Sequence, residues 1–269
     1  MKRVLGAGIL VLCGLACAAP AQERLRLATT TSVQDSGLMP YLLQQFEKQC
    51  ACRVDVIAVG SGQALKLASN GDVDMVLVHD PPSEIKFLED GFGINRRTFM
   101  VNDFVILGPA SDPARVAGTK DAALALAKIY GSGSVFVSRG DASGTHQKEL
   151  ALWKKAGIQP AGSRYLDIGQ GMGAVLTMAN EKSGYTITDR ATYLTRRHQL
   201  KLEVLVEGDP DLVNYYSLIE VNPARFPSVK SVLSRRLIHW LCSPEGQKRI
   251  DSYRVGGHKL FEPAFAGGK

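Results

Sequence analysis

The sequence lacks the patterns that mark several common classes of protein. Its Lys and Arg residues form no clustered stripe of the kind that nucleic acid binding requires. After residue 19 it has no apolar run long enough to cross a membrane. It has no Gly-x-Ser-x-Gly segment to carry a hydrolase nucleophile, and no His near its cysteines at the spacing of a zinc site. We therefore expect no nucleic acid partner, no metal centre and no enzymatic activity.

The N-terminus reads as a secretory signal peptide over residues 1–21. Lys2 and Arg3 precede an apolar stretch over residues 4–19, and Ala19-Pro20-Ala21 predicts cleavage before Gln22. A lipid anchor on Cys13 or Cys17 is the less favoured alternative, because the residues around them fit a lipobox poorly. Without the leader, 30 basic residues face 26 acidic ones, a net charge of +4 that favours small anionic ligands.

Cysteine is scarce, with three residues left in the mature chain: Cys50, Cys52 and Cys242. An exported chain is normally oxidised, so at most one internal disulfide can form and one thiol is left over. We expect Cys50 and Cys52 to be too close along the chain for an easy mutual bridge. The hypothesis is that Cys242 pairs with one of them and ties the C-terminal helix to the first helix.

The segment Ser138-Arg139-Gly140-Asp141-Ala142-Ser143-Gly144-Thr145 joins a short predicted strand over residues 135–137 to a helix. The helix begins near Ser143 or Thr145 and stops at Gly157. The first N–H groups of a helix have no partners within it and attract anions, and the Arg139 guanidinium fits an oxyanion. The alternative is a surface ion pair of Arg139 with Asp141, with Ser143 serving only as a helix cap.

Three more junctions between strands and helices carry hydroxyls or glycines. Residues 29–32 follow a strand at 25–27, residues 60–62 follow a strand at 54–59, and residues 169–173 precede a helix at 174–181. Alternating strands and helices predict parallel sheets, whose loops gather at the carboxyl ends of the strands. The four junctions are therefore predicted to share one anion pocket. His79, at the end of a strand over residues 73–78, is expected to be structural.

Two extended runs, residues 104–107 and 215–221, lie far apart in the sequence. They predict two crossings between two lobes. Lobe I comprises residues 22–103 and 214–269, lobe II comprises residues 104–213, and the helix over residues 232–241 returns to lobe I. An anion would lie in the cleft between the lobes.

Motifs along nearly the whole mature chain resemble, in order and spacing, the periplasmic tungstate-binding component of tungstate ABC transporters (the TupA type), within the type II periplasmic binding protein superfamily. The motifs are Ala28-Thr29-Thr30-Thr31-Ser32, Val59-Gly60-Ser61-Gly62-Gln63-Ala64-Leu65-Lys66-Leu67, Leu77-Val78-His79, Gly93-Ile94-Asn95-Arg96-Arg97, Asn102-Asp103-Phe104-Val105-Ile106, Ser138-Arg139-Gly140-Asp141, Gly169-Gln170-Gly171-Met172-Gly173, Thr188-Asp189-Arg190 and Ser243-Pro244-Glu245-Gly246-Gln247.

The resemblance implies an α/β, two-lobed type II periplasmic binding protein fold, each lobe a mostly parallel sheet flanked by helices, with two hinge crossings. It implies a periplasmic monomer that captures tungstate, or molybdate, and delivers it to a membrane ABC permease and its ATPase subunit. No cofactor is implied, and the oxyanion is held through its oxygens without a metal. The implied ligand-binding residues are Thr30, Thr31, Ser32, Ser61, Arg139, Ser143, Gly144 and Thr145.

The chemistry of the ligand bears on specificity. A fully deprotonated tetrahedral dianion offers only acceptors, so hydroxyl and amide donors with one guanidinium satisfy it. Phosphate keeps a proton and needs an acceptor, and Asp141 is the nearest carboxylate. We expect Asp141 to turn away from the anion and hold Arg139, which disfavours phosphate. Sulfate and molybdate have the same donor needs as tungstate.

Other functions remain as alternatives. One is a phosphate- or sulfate-binding protein, and another is a sensor module with the same fold, because fold alone does not fix function. A third is a secreted hydrolase that uses Ser143 or Ser61 with His146 and Asp141, although His146 would point away from a neighbouring nucleophile.

Overall fold

The computed structural model describes residues 22–141 and 143–264. The predicted signal peptide lies outside this part of the chain. Within the described ranges, no helix has the length and apolar character that crossing a membrane requires.

The described chain alternates strands and helices as predicted. Its first part contains β1 (Arg24–Thr30), α1 (Thr31–Asp35), α2 (Leu38–Cys50), β2 (Arg53–Val59), α3 (Ser61–Ser69), β3 (Met75–Val78), α4 (Pro81–Glu89) and β4 (Gly93–Pro109). Its middle contains α5 (Ala122–Gly131), β5 (Phe136–Ser138), α6 (Gly144–Lys155), β6 (Tyr165–Asp167), α7 (Met172–Lys182), β7 (Thr186–Asp189), α8 (Arg190–Arg196) and β8 (Leu202–Val206), with short 3-10 turns at Arg197–Gln199 and Pro210–Leu212. The last part contains β9 (Val213–Val221), α9 (Ser231–Leu241), α10 (Pro244–Ser252), β10 (Arg254–Val255), β11 (His258–Lys259) and β12 (Glu262–Pro263).

The main sheet is mixed. β2, β1 and β3 lie side by side in parallel, as the strand-loop-helix pattern predicts, so their carboxyl ends meet at one edge. β9 pairs antiparallel with both β3 and β4, and β7, β8 and β12 also pair antiparallel with β4. β5 and β6 form a separate parallel pair. The α/β class is confirmed, but the main sheet is mixed and not mostly parallel as expected, because all pairings of the long strands β4 and β9 are antiparallel.

The two predicted crossings lie side by side in the pair formed by β4 and β9. Residues 93–103 of β4 pair with β9, whereas residues 104–109 pair with β7 and β8. Asp103 lies opposite Val213, and Asn102 lies opposite Asn214. A single strand therefore continues from one part of the molecule into the other.

Clusters of buried apolar side chains follow the same division. Two clusters consist of residues from 25–100 and 216–261, and one of these two also includes Ala191. The other two clusters consist of residues from 104–212. The predicted return of the C-terminal helix is present, since Leu233, Leu237 and Leu241 of α9 pack in the same cluster as Leu25 of β1. Full burial of each leucine contributes roughly 1.5–3 kcal/mol, which holds α9 on the sheet.

The disulfide is different from the predicted one. Cys50 and Cys52 form the bridge, with Cα atoms 5.1 Å apart, and Cys242 is a half-buried free thiol. The hypothesis that Cys242 pairs with Cys50 or Cys52 is wrong. Ala51, directly after α2, adopts the left-handed conformation with φ 53°. This turns the chain back so that the Cα separation falls within the usual disulfide range of roughly 4.4–6.8 Å.

Candidate functional site

The junction between β5 and α6 positions a buried arginine at a helix start. Ser143 is the N-cap of α6, and its Oγ accepts a hydrogen bond from the backbone N–H of His146 at 3.2 Å. Gly140 adopts a φ of 65°, and a Cβ at this position would overlap the Asp167 carboxylate, so glycine is required. The predicted helix start near Ser143 is confirmed.

Asp141 holds Arg139 and closes the loop. Arg139 Nε donates to Asp141 Oδ2 at 2.8 Å, and Asp141 Oδ1 accepts from the Ser143 backbone N–H at 2.9 Å. The Arg139 side chain is only 6 % exposed, whereas that of Asp141 is 27 % exposed. Arg139 and Asp141 therefore do not form the surface ion pair of the alternative interpretation. The Arg139 cation is buried at the start of α6, and both carboxylate oxygens of Asp141 accept hydrogen bonds.

The start of α3 faces the start of α6. A Cβ built on Gly60, the N-cap of α3, would lie 3.8 Å from the Cα and Cβ of Ser143. Ser61, the first residue of α3, is fully buried, and its Oγ has no hydrogen-bond partner among the described residues. A buried hydroxyl without a partner costs about 1–3 kcal/mol, which a ligand that accepts its hydrogen recovers.

The first loop lies beside this pair of helix starts. Thr30 ends β1 opposite Val59, the last residue of β2, which leads directly to Gly60 and Ser61. The hydroxyls of Thr30 and Ser32 are 3.1 Å apart and share a hydrogen bond. Thr31, between them, is partly exposed. Parallel pairing of β1 with β2 thus places the first and second junctions at one sheet edge.

Gly144 brings α6 against the end of β3. A Cβ built on Gly144 would lie 2.8 Å from the carbonyl oxygen of His79, the residue after β3. Thr145, the next residue of α6, is 1 % exposed. The start of α6 therefore lies next to the carboxyl end of β3. The carboxyl ends of β1 and β2 lie at the same edge of the sheet.

Ser138 and the fourth junction, residues 169–173, were predicted to belong to the anion pocket, but the structure gives them different surroundings. The Ser138 hydroxyl donates to Glu149 Oε2 at 2.8 Å, so it serves the packing beneath α6. Burial raises the pKa of Glu149, while hydrogen bonds from Tyr165, Ser138 and Trp153 oppose that rise. The fourth junction lies beside the third, but Gly169, Gln170 and Gly171 are exposed.

A buried polar network that the sequence reasoning missed lies at the crossing of β4 and β9, beside the end of β3. Asn214 Oδ1 is 3.1 Å from His79 Nδ1, and Asn214 Nδ2 donates to Asn102 Oδ1 at 2.8 Å and to the Tyr216 phenol at 2.9 Å. The network therefore connects both crossing strands to His79 at the end of β3.

Burial shifts the pKa of two titratable groups, Asp189 and His79, beside this network. Burial raises the pKa of Asp189, and this is opposed by the Thr192 hydroxyl and backbone N–H, by the charge of Arg139 and by the Asn102 amide. Burial lowers the pKa of His79 to about 4, so its ring is neutral near pH 7. The prediction that His79 is structural agrees with its packing 4.8 Å from the Tyr216 ring centroid.

The geometry does not form a catalytic triad at Ser143. The ring Nδ1 of His146 contacts the backbone carbonyl of Asp141, and only the backbone N–H of His146 contacts Ser143 Oγ. Within residues 22–141 and 143–264, no group of three or more His, Cys, Asp or Glu side chains could hold a metal ion.

The fold and the facing helix starts define a solute-binding protein, and residues 18–245 match the family model described as the PBP superfamily domain. The chain is 43 % identical over 247 residues to the tungstate-binding protein TupA of Peptoclostridium acidaminophilum, covering 91 % of this chain and 86 % of that protein.

Two solved structures are similar as well. The tungstate ABC transporter structure from Geobacter sulfurreducens has a TM-score of 0.79 and 53 % identity, covering 86 % of this chain and 99 % of that one. The tungstate-binding protein TupA from Desulfovibrio alaskensis G20 has a TM-score of 0.78 and 45 % identity, covering 90 % and 98 %. The chain belongs to the TupA family of this superfamily. It is an oxyanion-binding transport protein and not an enzyme.

Proposed function

We propose that this chain captures tungstate in a cleft between two lobes in the periplasm and delivers it to an ABC permease with its ATPase subunit. The residues proposed to bind are Thr30, Thr31, Ser32, Ser61, Arg139, Ser143, Gly144 and Thr145. Lobe I would comprise residues 22–103 and 214–269, and lobe II residues 104–213, with the signal peptide at 1–21 directing export. The similarity to tungstate-binding proteins supports tungstate as the ligand. Molybdate, which has the same donor needs, is the alternative ligand.

The observation that carries the proposal is the buried Ser61 hydroxyl, which has no hydrogen-bond partner in the described part of the chain. It lies at the start of α3, and this helix start faces that of α6. The N-termini of two helices carry partial positive charge, and the buried Arg139 adds a permanent one. A tetrahedral dianion supplies the missing acceptors and neutralises this charge. Hydrogen bonds to a charged group contribute roughly 1.5–3 kcal/mol each, so several of them can offset the removal of the ion's water.

Asp141 supports the choice of a fully deprotonated anion. Phosphate retains a proton and needs an acceptor in the site. Both Asp141 oxygens already accept hydrogen bonds, from Arg139 and from the Ser143 N–H. The carboxylate is thereby committed to the loop, which disfavours phosphate.

The test is titration calorimetry with tungstate, molybdate, sulfate, phosphate and chromate, on the wild type and on Arg139→Ala. We expect tungstate to bind tightly, and Arg139→Ala to weaken binding at least tenfold because the dianion loses its buried countercharge. A thermal-shift panel gives the same ranking, since the melting temperature rises with the logarithm of ligand excess over Kd.

Arg24→Ala is the matched control. Arg24 lies at the opposite end of β1 and pairs with Asp55 in an exposed ion pair, which contributes little to stability. Its removal should leave Kd unchanged. Tungstate affinity that survives Arg139→Ala at the wild-type level would place the anion elsewhere.

A further inference from the structure

Lys148 is a partly buried cation close to the start of α6. It lies four residues after Gly144, so the two residues share one face of the helix and are about 6 Å apart along its axis. Gly144 and Lys148 line one cavity together with His79. Lys148 is therefore about one helical turn from the backbone N–H groups that are proposed to bind the oxyanion.

The surroundings of the Lys148 amine suit an ammonium. Its Nζ donates to the backbone carbonyl of Asp211 at 2.6 Å and lies 3.5 Å from that of Val213. It also lies 5.7 Å from the centre of the Phe104 ring, a distance at which the face of a ring attracts a cation. Burial lowers the pKa of Lys148, and the charges of Asp211 and Asp209 oppose this shift.

The two cations near this helix start differ in their partners. Arg139 donates to the Asp141 carboxylate at 2.8 Å, which offsets a part of its positive charge. In the part of the chain that the structure describes, Lys148 forms no ion pair, because the Asp211 carboxylate pairs with Lys155 instead. A bound dianion needs more positive charge than a partly neutralised Arg139 supplies, and Lys148 is close enough to provide it.

We infer that Lys148 is a second countercharge for the bound oxyanion, and that it favours dianions over monoanions of the same shape. This rests on the proposed function, since it requires the anion to bind at the start of α6. The Coulomb free energy is proportional to the charge of the ligand. Loss of the Lys148 charge must therefore weaken a dianion by the square of the factor by which it weakens a monoanion.

The experiment is titration calorimetry of Lys148→Met with tungstate and perrhenate near neutral pH. Perrhenate is a tetrahedral oxyanion of nearly the same size as tungstate, but it carries a single charge. Methionine keeps the apolar stem beside Phe104 and removes the cation. Across roughly 10 Å, at an effective dielectric constant of about 40 to 60, one unit charge changes Kd about threefold. We expect Kd to rise about threefold for perrhenate and about ninefold for tungstate.

The ratio of the two dissociation constants separates charge from structural damage. If Lys148 only holds the Asp211 and Val213 carbonyls, its loss weakens both anions equally and leaves the ratio of perrhenate to tungstate Kd unchanged. The inferred role lowers this ratio about threefold. Perrhenate is titrated by displacement of bound tungstate, which measures weak binding as well.

Lys155→Met is the matched control, because it removes the same charge from the same helix. Lys155 is exposed, pairs with Asp211 and lies about two turns further from the helix start than Lys148. Exposed charges at this distance are largely screened by salt. The substitution should leave both dissociation constants near their wild-type values.

Two further variants keep the test independent of the folding of Lys148→Met. Lys148→Arg keeps the positive charge and should keep the wild-type ratio. Lys148→Gln removes the charge but keeps a donor for the Asp211 carbonyl, so it should lower the ratio as Lys148→Met does. A wild-type ratio in the neutral variants, or a lowered ratio in Lys148→Arg, overturns the inference. A wild-type protein that binds no tungstate would instead overturn the proposed function.

Discussion

Gly144 lets α6 pack closely against the end of β3, so a larger residue at this position should weaken ligand binding. A Cβ at this position would lie 2.8 Å from the His79 carbonyl oxygen and 2.9 Å from Cε1 and Nδ1 of the His79 ring. The nearest atom belongs to the backbone directly after β3, and the ring is held by Asn214. Neither can move aside easily, so Gly144→Ala must push α6 away from β3. Overpacking of this kind costs roughly 1–3 kcal/mol.

The cost of this substitution falls on binding more than on stability. The start of α6 carries three of the proposed ligand-binding residues, and its displacement separates them from the start of α3. Loss of one hydrogen bond from this helix start to the charged ligand costs roughly 1.5–3 kcal/mol, which corresponds to a tungstate Kd about 10- to 150-fold higher. For stability, a part of the cost is offset, because replacing glycine by alanine stabilises by about 0.4–1 kcal/mol through the unfolded state. Titration calorimetry is therefore the decisive assay.

Gly131→Ala is the control for Gly144→Ala. Gly131 ends α5, and a Cβ built there has no other atom within 4 Å. This substitution should leave the tungstate Kd unchanged. If Gly144→Ala also binds tungstate with the wild-type Kd, the close approach of α6 to His79 does not determine the geometry of the site.

Two further predictions concern thiols and pH. Under denaturing, non-reducing conditions, the chain without residues 1–21 should give one free thiol from Cys242, because Cys50 and Cys52 are bridged; a count of three would contradict the bridge. Burial, with the nearby charges of Arg139 and Lys148, lowers the pKa of His79 from 6.5 to about 4. Between these values the unfolded state binds the proton more tightly, so the His79 contribution to stability is intact above pH 6.5 and is lost as the pH falls toward 4. Relative to His79→Gln, the wild type should lose on the order of 3 kcal/mol of unfolding free energy from pH 7 to pH 4 in urea titrations. Parallel pH profiles of the two proteins would refute this.

The parts of the site that depend on local sequence were predictable. Ser143 caps α6 and Arg139 lies in the loop before it, because a strand, a polar loop and an amphipathic run follow each other within about two dozen residues. The gathering of the first two junctions follows from the parallel pairing of β1 with β2.

The parts that depend on distant pairing were not predictable in this way. Asn102 and Asn214 meet only because β4 and β9 pair in one particular register, and the sequence around either residue does not predict that register. A signal was nevertheless present in β9, where Asn214 and Tyr216 fall on the same face of the strand, two residues apart. The bridge between Cys50 and Cys52 was missed because it depends on the backbone of Ala51, which spacing does not reveal.

The central place of β9 in the main sheet governs the order in which a newly made chain can fold. β9 lies between β3 and β4, although residues 110–212 separate it from β4 in the sequence. As synthesis proceeds from the N-terminus, β3 and β4 emerge with open edges that no earlier strand can cover, and such edges invite aggregation. Residues 104–212 build their own apolar clusters in the meantime. β9 can therefore join β3 to β4, in the sheet that carries Thr30, only after residue 221 has left the ribosome, and β12 is added later still.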